Sequence, residues 1–417
     1  MFDSVQNLPM TDEAGSDSSG VTTRAARSER ERWILVGGLS LISVALSANE
    51  IVPASVTPLI RASMGIDATK AGLVVGSMFG AAVVASLPVG ALLDRTNSRV
   101  AIALAIAVSL VVGVWGWMAA ERNAYYLLIA SRLVGGAAFV TIWNAGIDIV
   151  SRAVEPSRRA TAVGIFTASG PVGFALGQGG GPTIAAQFGW PAIFLVFNAV
   201  PLVGLAMYWP TSRGLGRSDA GAAPSLAEFG SVLRDRSVWL VGGLGFLAYS
   251  LYLFVNSWAP SYLTDEVGLA IGLSGLLIAV FPAVGIVSRV SSGLLSDRLF
   301  GGRRRPVLLL SFLFTVPALM VLATLRSVAA LVVALLVAGF TIQLTLGLSF
   351  AYVRELVDRR VAATAVAFQT TLGLAGAFVA PIAGGALIEA AGYETAFLVG
   401  SGLALVGVAF VWVVPES

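Results

Sequence analysis

The stretch GALLDRTNSR, residues 90–99, places an acid, two arginines and an asparagine between long runs of apolar residues. A second copy, GLLSDR, occupies residues 293–298. Under one constant shift of 203 residues the chain matches itself, and the matched pairs include Gly90 with Gly293, Asp94 with Asp297 and Arg95 with Arg298. A fixed shift that pairs charged residues as well as apolar ones predicts a duplicated architecture.

The composition predicts a membrane protein. Of 417 residues, 57% are hydrophobic and 12% are charged, and a bilayer core of about 30 Å is crossed by roughly 20 apolar residues in a helix. Because these runs do not alternate in polarity as barrel strands do, we predict an all-α membrane protein. We number its predicted transmembrane helices spans 1 to 12; they lie at 33–60, 70–92, 100–120, 124–150, 161–186, 190–210, 238–263, 271–295, 305–325, 328–353, 362–388 and 393–414.

The residue types exclude several classes of function. The chain has no cysteine and no histidine, which removes thiol nucleophiles, imidazole bases and the usual zinc ligands. No pair of acids lies within one predicted span, so we expect neither an enzyme nor a metal or other cofactor.

The positive charges predict the orientation in the membrane. Most of the 26 lysines and arginines fall on the side that carries both termini, and the other side carries Arg61, Lys70, Arg122 and Arg326. Positively charged loops stay in the cytoplasm, so we expect a multi-pass cell-membrane protein with both termini cytoplasmic. The net charge of +3 is therefore explained by orientation in the lipid bilayer, which is the expected partner. We expect no binding of nucleic acid.

Polar segments predict the domain boundaries. Residues 1–32 are polar, lack an apolar signal-peptide core, and are expected to form a disordered cytoplasmic tail. Residues 211–237 read as a cytoplasmic linker between two six-helix bundles, 33–210 and 238–414. Because six is even, both copies have the same orientation, as in carriers that alternate access between two parallel halves. We expect a monomer that moves a small molecule.

The quoted motifs resemble those of the major facilitator superfamily, over residues 33–414. GALLDRTNSR is similar to the family's GxLxDRxxxR loop between helices 2 and 3, with Asn97 where the family has Gly, and GLLSDR lies where the family carries its second copy. The resemblance implies twelve transmembrane helices in two parallel six-helix bundles. It also implies a cytoplasmic gate in which Asp94 faces helix 11 near Ala362 and Asp297 faces helix 5 near Ala160, closing that side by charge and helix-dipole contacts. The candidate gate residues are Gly90, Asp94, Arg95, Arg99, Asp148, Gly293, Asp297 and Arg298.

Charges inside the spans are candidates for function, because each costs about 2.5–3.5 kcal/mol at the bilayer centre. Glu50 in span 1 and Arg132 in span 4 lie at matching depth and are predicted to pair. Arg289 in span 8 has two readings: it reaches the cytoplasmic interface, or, as in monocarboxylate and oxalate carriers that it resembles, it holds a substrate carboxylate.

Polar stripes point to a cavity. Span 1 carries Ser40, Ser43, Ser47, Glu50 and Thr57 on one face, and span 10 carries Thr341, Thr345, Ser349 and Tyr352. In the resembled family helices 1, 4, 7 and 10 line the cavity. The candidate substrate and proton residues are Glu50, Arg132, Asn49, Trp143, Tyr249, Tyr252, Asn256, Gln178, Arg289 and Thr345.

Two transport classes remain open. Arginines facing a cavity with one carboxylate favour an organic anion as substrate. Protonation of Glu50 would release Arg132 to bind that anion, so the proton would be the coupling ion. The alternative is a drug:proton antiporter that exports apolar or cationic compounds. The glycines of span 5 resemble the antiporter motif, but Gln178 and Pro182 stand where that motif has Pro and Gly.

Overall fold

The computed structural model describes residues 28–93, 96–213, 226–358 and 360–415, and in these ranges all regular secondary structure is helical. Spans 1 to 4 are Glu29–Ser55, followed by a short helix Thr57–Met64, then Ala68–Leu93, Ser98–Glu121 and Tyr125–Ala153. Spans 5 and 6 are each broken, into Pro156–Thr167 with Ser169–Phe188 and Ala192–Ala199 with Pro201–Thr211. Spans 7 to 10 are Arg236–Asp265, Ile271–Leu299, Arg305–Thr324 and Val328–Leu356.

The last helix, Ala362–Val413, contains spans 11 and 12. At about 1.5 Å per residue a straight helix of 52 residues would be about 78 Å long, more than twice a bilayer core. Gly392 divides it with φ of 81°, a left-handed conformation that glycine adopts without steric cost. The described residues thus form eleven continuous hydrophobic stretches of spanning length and, with this bend, twelve spans. The predicted all-α membrane fold is confirmed.

Two predicted boundaries need correction. Residues 1–27 of the expected tail lie outside the described residues, but residues 29–32 are helical, because Ser28 and Glu31 form a reciprocal capping box that starts span 1. The expected linker likewise contains a helix, Leu226–Arg234, whose Val232 is buried against the second half of the chain. Linker residues 214–225 lie outside the described part.

The spans pack as two groups of six that meet along two pairs of helices. Span 2 packs against span 11, and span 5 packs against span 8. We call the end that carries residues 28 and 415 the terminal end and the opposite one the far end. At the far half of span 2, Gly72 and Gly76 lie against the backbone of Pro381 and Phe378. On the same face one turn beyond Gly80, Val84 is 77% exposed, so spans 2 and 11 separate towards the terminal end.

Candidate functional site

Arg132 is fully buried and binds backbone carbonyls rather than the Glu50 carboxylate. Its Nε donates to Val74 O at 3.0 Å, Nη1 to Asn49 O at 2.6 Å and Nη2 to Glu50 O at 2.5 Å. Both residues lie in the described part of the chain, where no guanidinium–carboxylate ion pair joins them. The predicted pairing is therefore corrected: the Arg132 side chain binds main-chain carbonyls of span 1.

Proline explains why one of these carbonyls, that of Asn49, accepts from Arg132. In an α-helix the carbonyl of Asn49 would accept from the N–H of residue 53, but that residue is Pro53, which has none. A buried carbonyl without a partner is costly. Arg132 supplies the missing donor and thereby joins spans 1, 2 and 4.

Four polar side chains of spans 1, 7 and 8, those of Glu50, Tyr249, Tyr252 and Arg289, form a group inside the membrane-spanning part. Glu50 is 2% exposed and its Oε1 has no hydrogen-bond partner. The hydroxyl of Tyr252 and the Nε of Arg289 are also buried without partners. The hydroxyls of Tyr249 and Tyr252 lie within electrostatic range of both Glu50 and Arg289. We call these side chains from spans 1, 7 and 8 the central group.

Aromatic rings and one hydrogen bond join the two halves beside the central group. Tyr252 stacks between Phe174 of span 5 and Phe281 of span 8, at ring-centroid distances of 5.5 and 5.6 Å. Gln178 Nε2 in span 5 donates to Asn256 O in span 7 at 2.7 Å. That carbonyl lacks its helical donor because Pro260 stands four residues on. Both contacts link the two halves of the molecule.

Two predicted cavity residues are packed inside one half instead. Asn49 accepts from Asn198 Nδ2 at 3.1 Å and directs its own amide to the sulfur of Met78, all in the first half. Thr345 shares a hydrogen bond of 2.7 Å with Ser311 of span 9. Each of these two side chains therefore bonds to residues of its own half.

The rest of the span 10 stripe also packs within the second half. Thr341 bonds to Thr315, Ser349 donates to Leu346 O in its own helix, and Tyr352 donates to Pro415 O. Trp143 is half-buried in the first half, where its ring stacks on Phe139 and lies against Phe166 at a tilt of 40°.

The candidate gate residues that the structure describes make no contact between the halves at the terminal end. A methyl group added at Gly90 or at Gly293 would meet no atom within 4 Å. Asp297 pairs with Arg304 at 2.7 Å, a residue of its own half, and Arg298 is exposed in the last turn of span 8. The proposed facing residue Ala160 is exposed. Asp94 and Arg95 lie outside the described residues.

Arg99 and Asp148 also have partners within the first half. Arg99 donates to Trp209 O at 2.9 Å, with its guanidinium carbon 3.8 Å from the indole centroid. Asp148 accepts from Arg152 Nε at 3.0 Å. Asn97, which replaces the family's glycine, caps span 3 by accepting from Arg99 N at 2.9 Å.

Sequence reasoning missed the matching contacts of the second half. Arg305 donates to Trp412 O at 2.6 Å, and Trp412 lies 203 residues after Trp209. Arg304 holds Glu355 at 2.8 Å as well as Asp297, and the hydrogen bonds to Glu355 are the main cause that raises the pKa of Arg304. The repeat could have revealed the Trp412 contact, since Trp209 and Trp412 match under the same shift.

Comparisons with known proteins agree with this architecture. A family model described as Major Facilitator Superfamily matches residues 37–374 and 292–417. The chain is 23% identical over 367 residues to the hexuronate transporter of Bacillus subtilis, covering 84% of this chain and 86% of that protein. It is 23% identical over 380 residues to the cis,cis-muconate transport protein of Acinetobacter baylyi, covering 88% of each.

A solved structure shows the same fold. It is a bacterial homolog to the human lysosomal transporter Spinster, in an inward-facing and occupied conformation. The TM-score is 0.81 at 18% sequence identity, and the match covers 93% of this chain and 97% of that one.

Proposed function

The chain belongs to the Major Facilitator Superfamily, and from this premise we propose that it carries a small organic anion across the cell membrane by alternating access, coupled to protons. Membership makes it a transporter of small solutes rather than an enzyme. The anion, the coupling ion, the roles of the individual side chains and the cytoplasmic placement of the terminal end are our proposal.

The observation that carries the proposal is the unpartnered guanidinium of Arg289. Its Nε is buried without a hydrogen bond, and the hydroxyls of Tyr249 and Tyr252 lie within its electrostatic range. A guanidinium matches a carboxylate or phosphate with two parallel hydrogen bonds. Hexuronate and cis,cis-muconate, named for two similar proteins, are carboxylates.

Arg132 has a different role in this proposal. Each of its nitrogens already donates to a carbonyl, so it positions span 1 and leaves anion binding to Arg289. Glu50 then serves as the proton site. When Glu50 is neutral, the central group has a net positive charge and attracts the anion; when Glu50 ionises, its charge opposes that of the substrate.

Spans 2 and 11 separate towards the terminal end, and this supports assigning the structure to the state that is open at that end. We propose that this end faces the cytoplasm and that the substrate enters or leaves there. The opposite state opens the far end by breaking the contact between Gln178 and Asn256 and the stack around Tyr252. The gate around Asp94 and Asp297 forms in that state.

The test is uptake into proteoliposomes under an imposed pH gradient, with carboxylates, phosphate esters and lipophilic cations as substrates. We expect Arg289→Ala to abolish anion uptake and Arg289→Lys to retain part of it, because lysine keeps the charge and loses the planar fork. Arg326→Ala, a loop arginine at the far end, is the matched control and should transport normally.

Glu50→Gln separates proton coupling from binding. We expect it to retain anion exchange between the two sides but to lose accumulation driven by the pH gradient. Uptake of lipophilic cations that is insensitive to Arg289→Ala would overturn the anion assignment in favour of a drug exporter. Unchanged gradient-driven accumulation in Glu50→Gln would overturn the proton site.

A further inference from the structure

An apolar groove lies on the membrane-facing surface of spans 3 and 4, away from the space between the halves. It encloses about 610 Å³ and is lined by Val111, Val114, Trp115, Met118 and Leu127, with Arg122 at one end. Val111, Val114 and Leu127 are 66%, 47% and 51% exposed. Because these residues lie in transmembrane helices, the surface they expose is covered by lipid.

The groove has the length of one leaflet. From Leu110 to Arg122 it follows twelve residues of span 3, or about 18 Å at about 1.5 Å per residue. Half of a hydrocarbon core is about 15 Å. Arg122 is the residue that directly follows the last turn of span 3 at the far end. Its guanidinium therefore lies at headgroup level, at the polar end of the apolar groove.

Arg122 differs from the other basic residues of the far end. Arg61 pairs with Asp265, Lys70 with Asp67 and Arg326 with Glu266. Within the described ranges no acidic oxygen lies within 4.0 Å of Arg122, although Glu121 is its neighbour in the chain. An exposed cation at the polar end of an apolar channel has the charge and shape to receive a molecule with an anionic head and a hydrocarbon tail.

We propose that this groove binds an anionic phospholipid of the far leaflet, with one acyl chain along Val111, Val114 and Met118 and the phosphate on Arg122. A transported solute does not fit this place, because the groove lies wholly in the first half and does not communicate with the central group. The lipid stays bound throughout the transport cycle, since both of its contacts move with the same rigid half.

The test is native mass spectrometry of the purified full chain, with phosphatidylglycerol or phosphatidylcholine titrated into a non-ionic detergent. We expect one phosphatidylglycerol to be retained more tightly than the others. Because Arg122→Gln removes a charge-assisted hydrogen bond to the phosphate, it should weaken this retention at least about tenfold. Arg326→Gln is the matched control and should leave it unchanged.

Two further variants test the groove and the charge separately. Val114→Trp fills the channel and should weaken retention while Arg122 is intact. Glu121→Gln removes the nearby negative charge and should strengthen it. Equal retention of both lipids, no effect of Arg122→Gln, or displacement of the lipid by inorganic phosphate would overturn the proposal. None of these readouts depends on transport, so the proposal stands or fails independently of the anion assignment.

Discussion

Two pairs of glycines related by the internal repeat lie in opposite surroundings at the two ends of the molecule. At the far end, a methyl group on Gly72 would overlap the carbonyl oxygen of Pro381, and one on Gly275 would lie 2.5 Å from the carbonyl oxygen of Gln178. Both contacts cross between the halves. At the terminal end, Gly90 and Gly293 have open space around them. Each of the two helices, spans 2 and 8, therefore has one of these glycines at the far end and the other at the terminal end.

The difference shows which end is closed. Glycine permits backbones to approach closely, and at the far end both glycines serve this purpose. Arg61 with Asp265 and Thr69 with Glu389 add contacts between the halves there. At the terminal end, the ion pairs between described residues each lie within one half. We therefore propose that Gly90 and Gly293 permit close approach of the halves in the opposite state.

Substitution at Gly72 should have the largest effect. Gly72→Ala places a methyl group against Pro381, and overpacking of this kind costs about 1–3 kcal/mol. We expect the far end to close poorly and transport to fall up to about a hundredfold. Because the chain has no cysteine, a single Ala54→Cys reporter in the buried far-end core measures opening by its reaction with an impermeant thiol reagent. If Gly72→Ala transports normally and the cysteine at position 54 stays unreactive, the contact between Gly72 and Pro381 does not control closure of the far end.

Substitution at Gly90 tests the open end. A Cβ at Gly90 meets no atom within 4 Å in this conformation, so we expect Gly90→Leu to leave the melting temperature unchanged. The leucine should prevent closure of the terminal end and lower transport by about tenfold or more. Gly402→Leu, at another exposed glycine with open space around it, is the control and should transport normally. If both variants transport equally well, the terminal end does not close at Gly90.

Removal of the Gln178 amide should shift the balance between the ends more modestly. Gln178→Leu removes the bond to Asn256 and leaves its carbonyl unsatisfied, at a cost of about 1–3 kcal/mol. We expect roughly tenfold faster labelling of Ala54→Cys. Gln343→Leu is the control, because Gln343 also donates to carbonyls beside a helix proline but only within the second half. Equal labelling in both variants would mean that Gln178 does not hold the far end.

The smallest effect is expected at Asp67, a surface residue of the far end. Its side chain caps span 2 by accepting from Lys70 N at 2.7 Å, and this bond, with the Lys70 charge, lowers the pKa of Asp67. A lowered folded-state pKa stabilises the fold above the unfolded-state value, and the effect is lost as pH falls through the folded-state value. Asp67→Ala should cost about 1 kcal/mol at pH 7 and less at pH 3, as measured by melting temperature. A constant difference would exclude the charge as its cause.

Much of the fold was predictable because its signals are local. Apolar runs long enough to cross a bilayer revealed the spans, and the constant shift revealed the repeat. The start of span 1 was also readable, since Ser28 and Glu31 form a recognisable capping pattern, but the basic residues around it were interpreted as tail. Glu50 and Arg289 could be selected because a charge inside a span is costly wherever its partner lies.

Partners were not predictable, because they depend on how helices rotate against each other. Matching depth suggested that Arg132 binds the Glu50 carboxylate. In the structure Arg132 instead donates to the Asn49 carbonyl, which Pro53 leaves without a helical donor. The span 10 stripe has cavity-like spacing, yet Thr345 faces Ser311 inside its own half. A stripe shows that a face is polar, and it does not show which neighbour that face meets.

The sequence by itself determined the membrane-spanning helices, their duplication and the few charges placed among them. Only the tertiary structure decided which carbonyls Arg132 holds, that Gln178 joins the two halves, and which end is open. The physical reason is that the burial of an apolar helix depends on its own residues. A hydrogen bond between helices depends on positions set by contacts hundreds of residues apart.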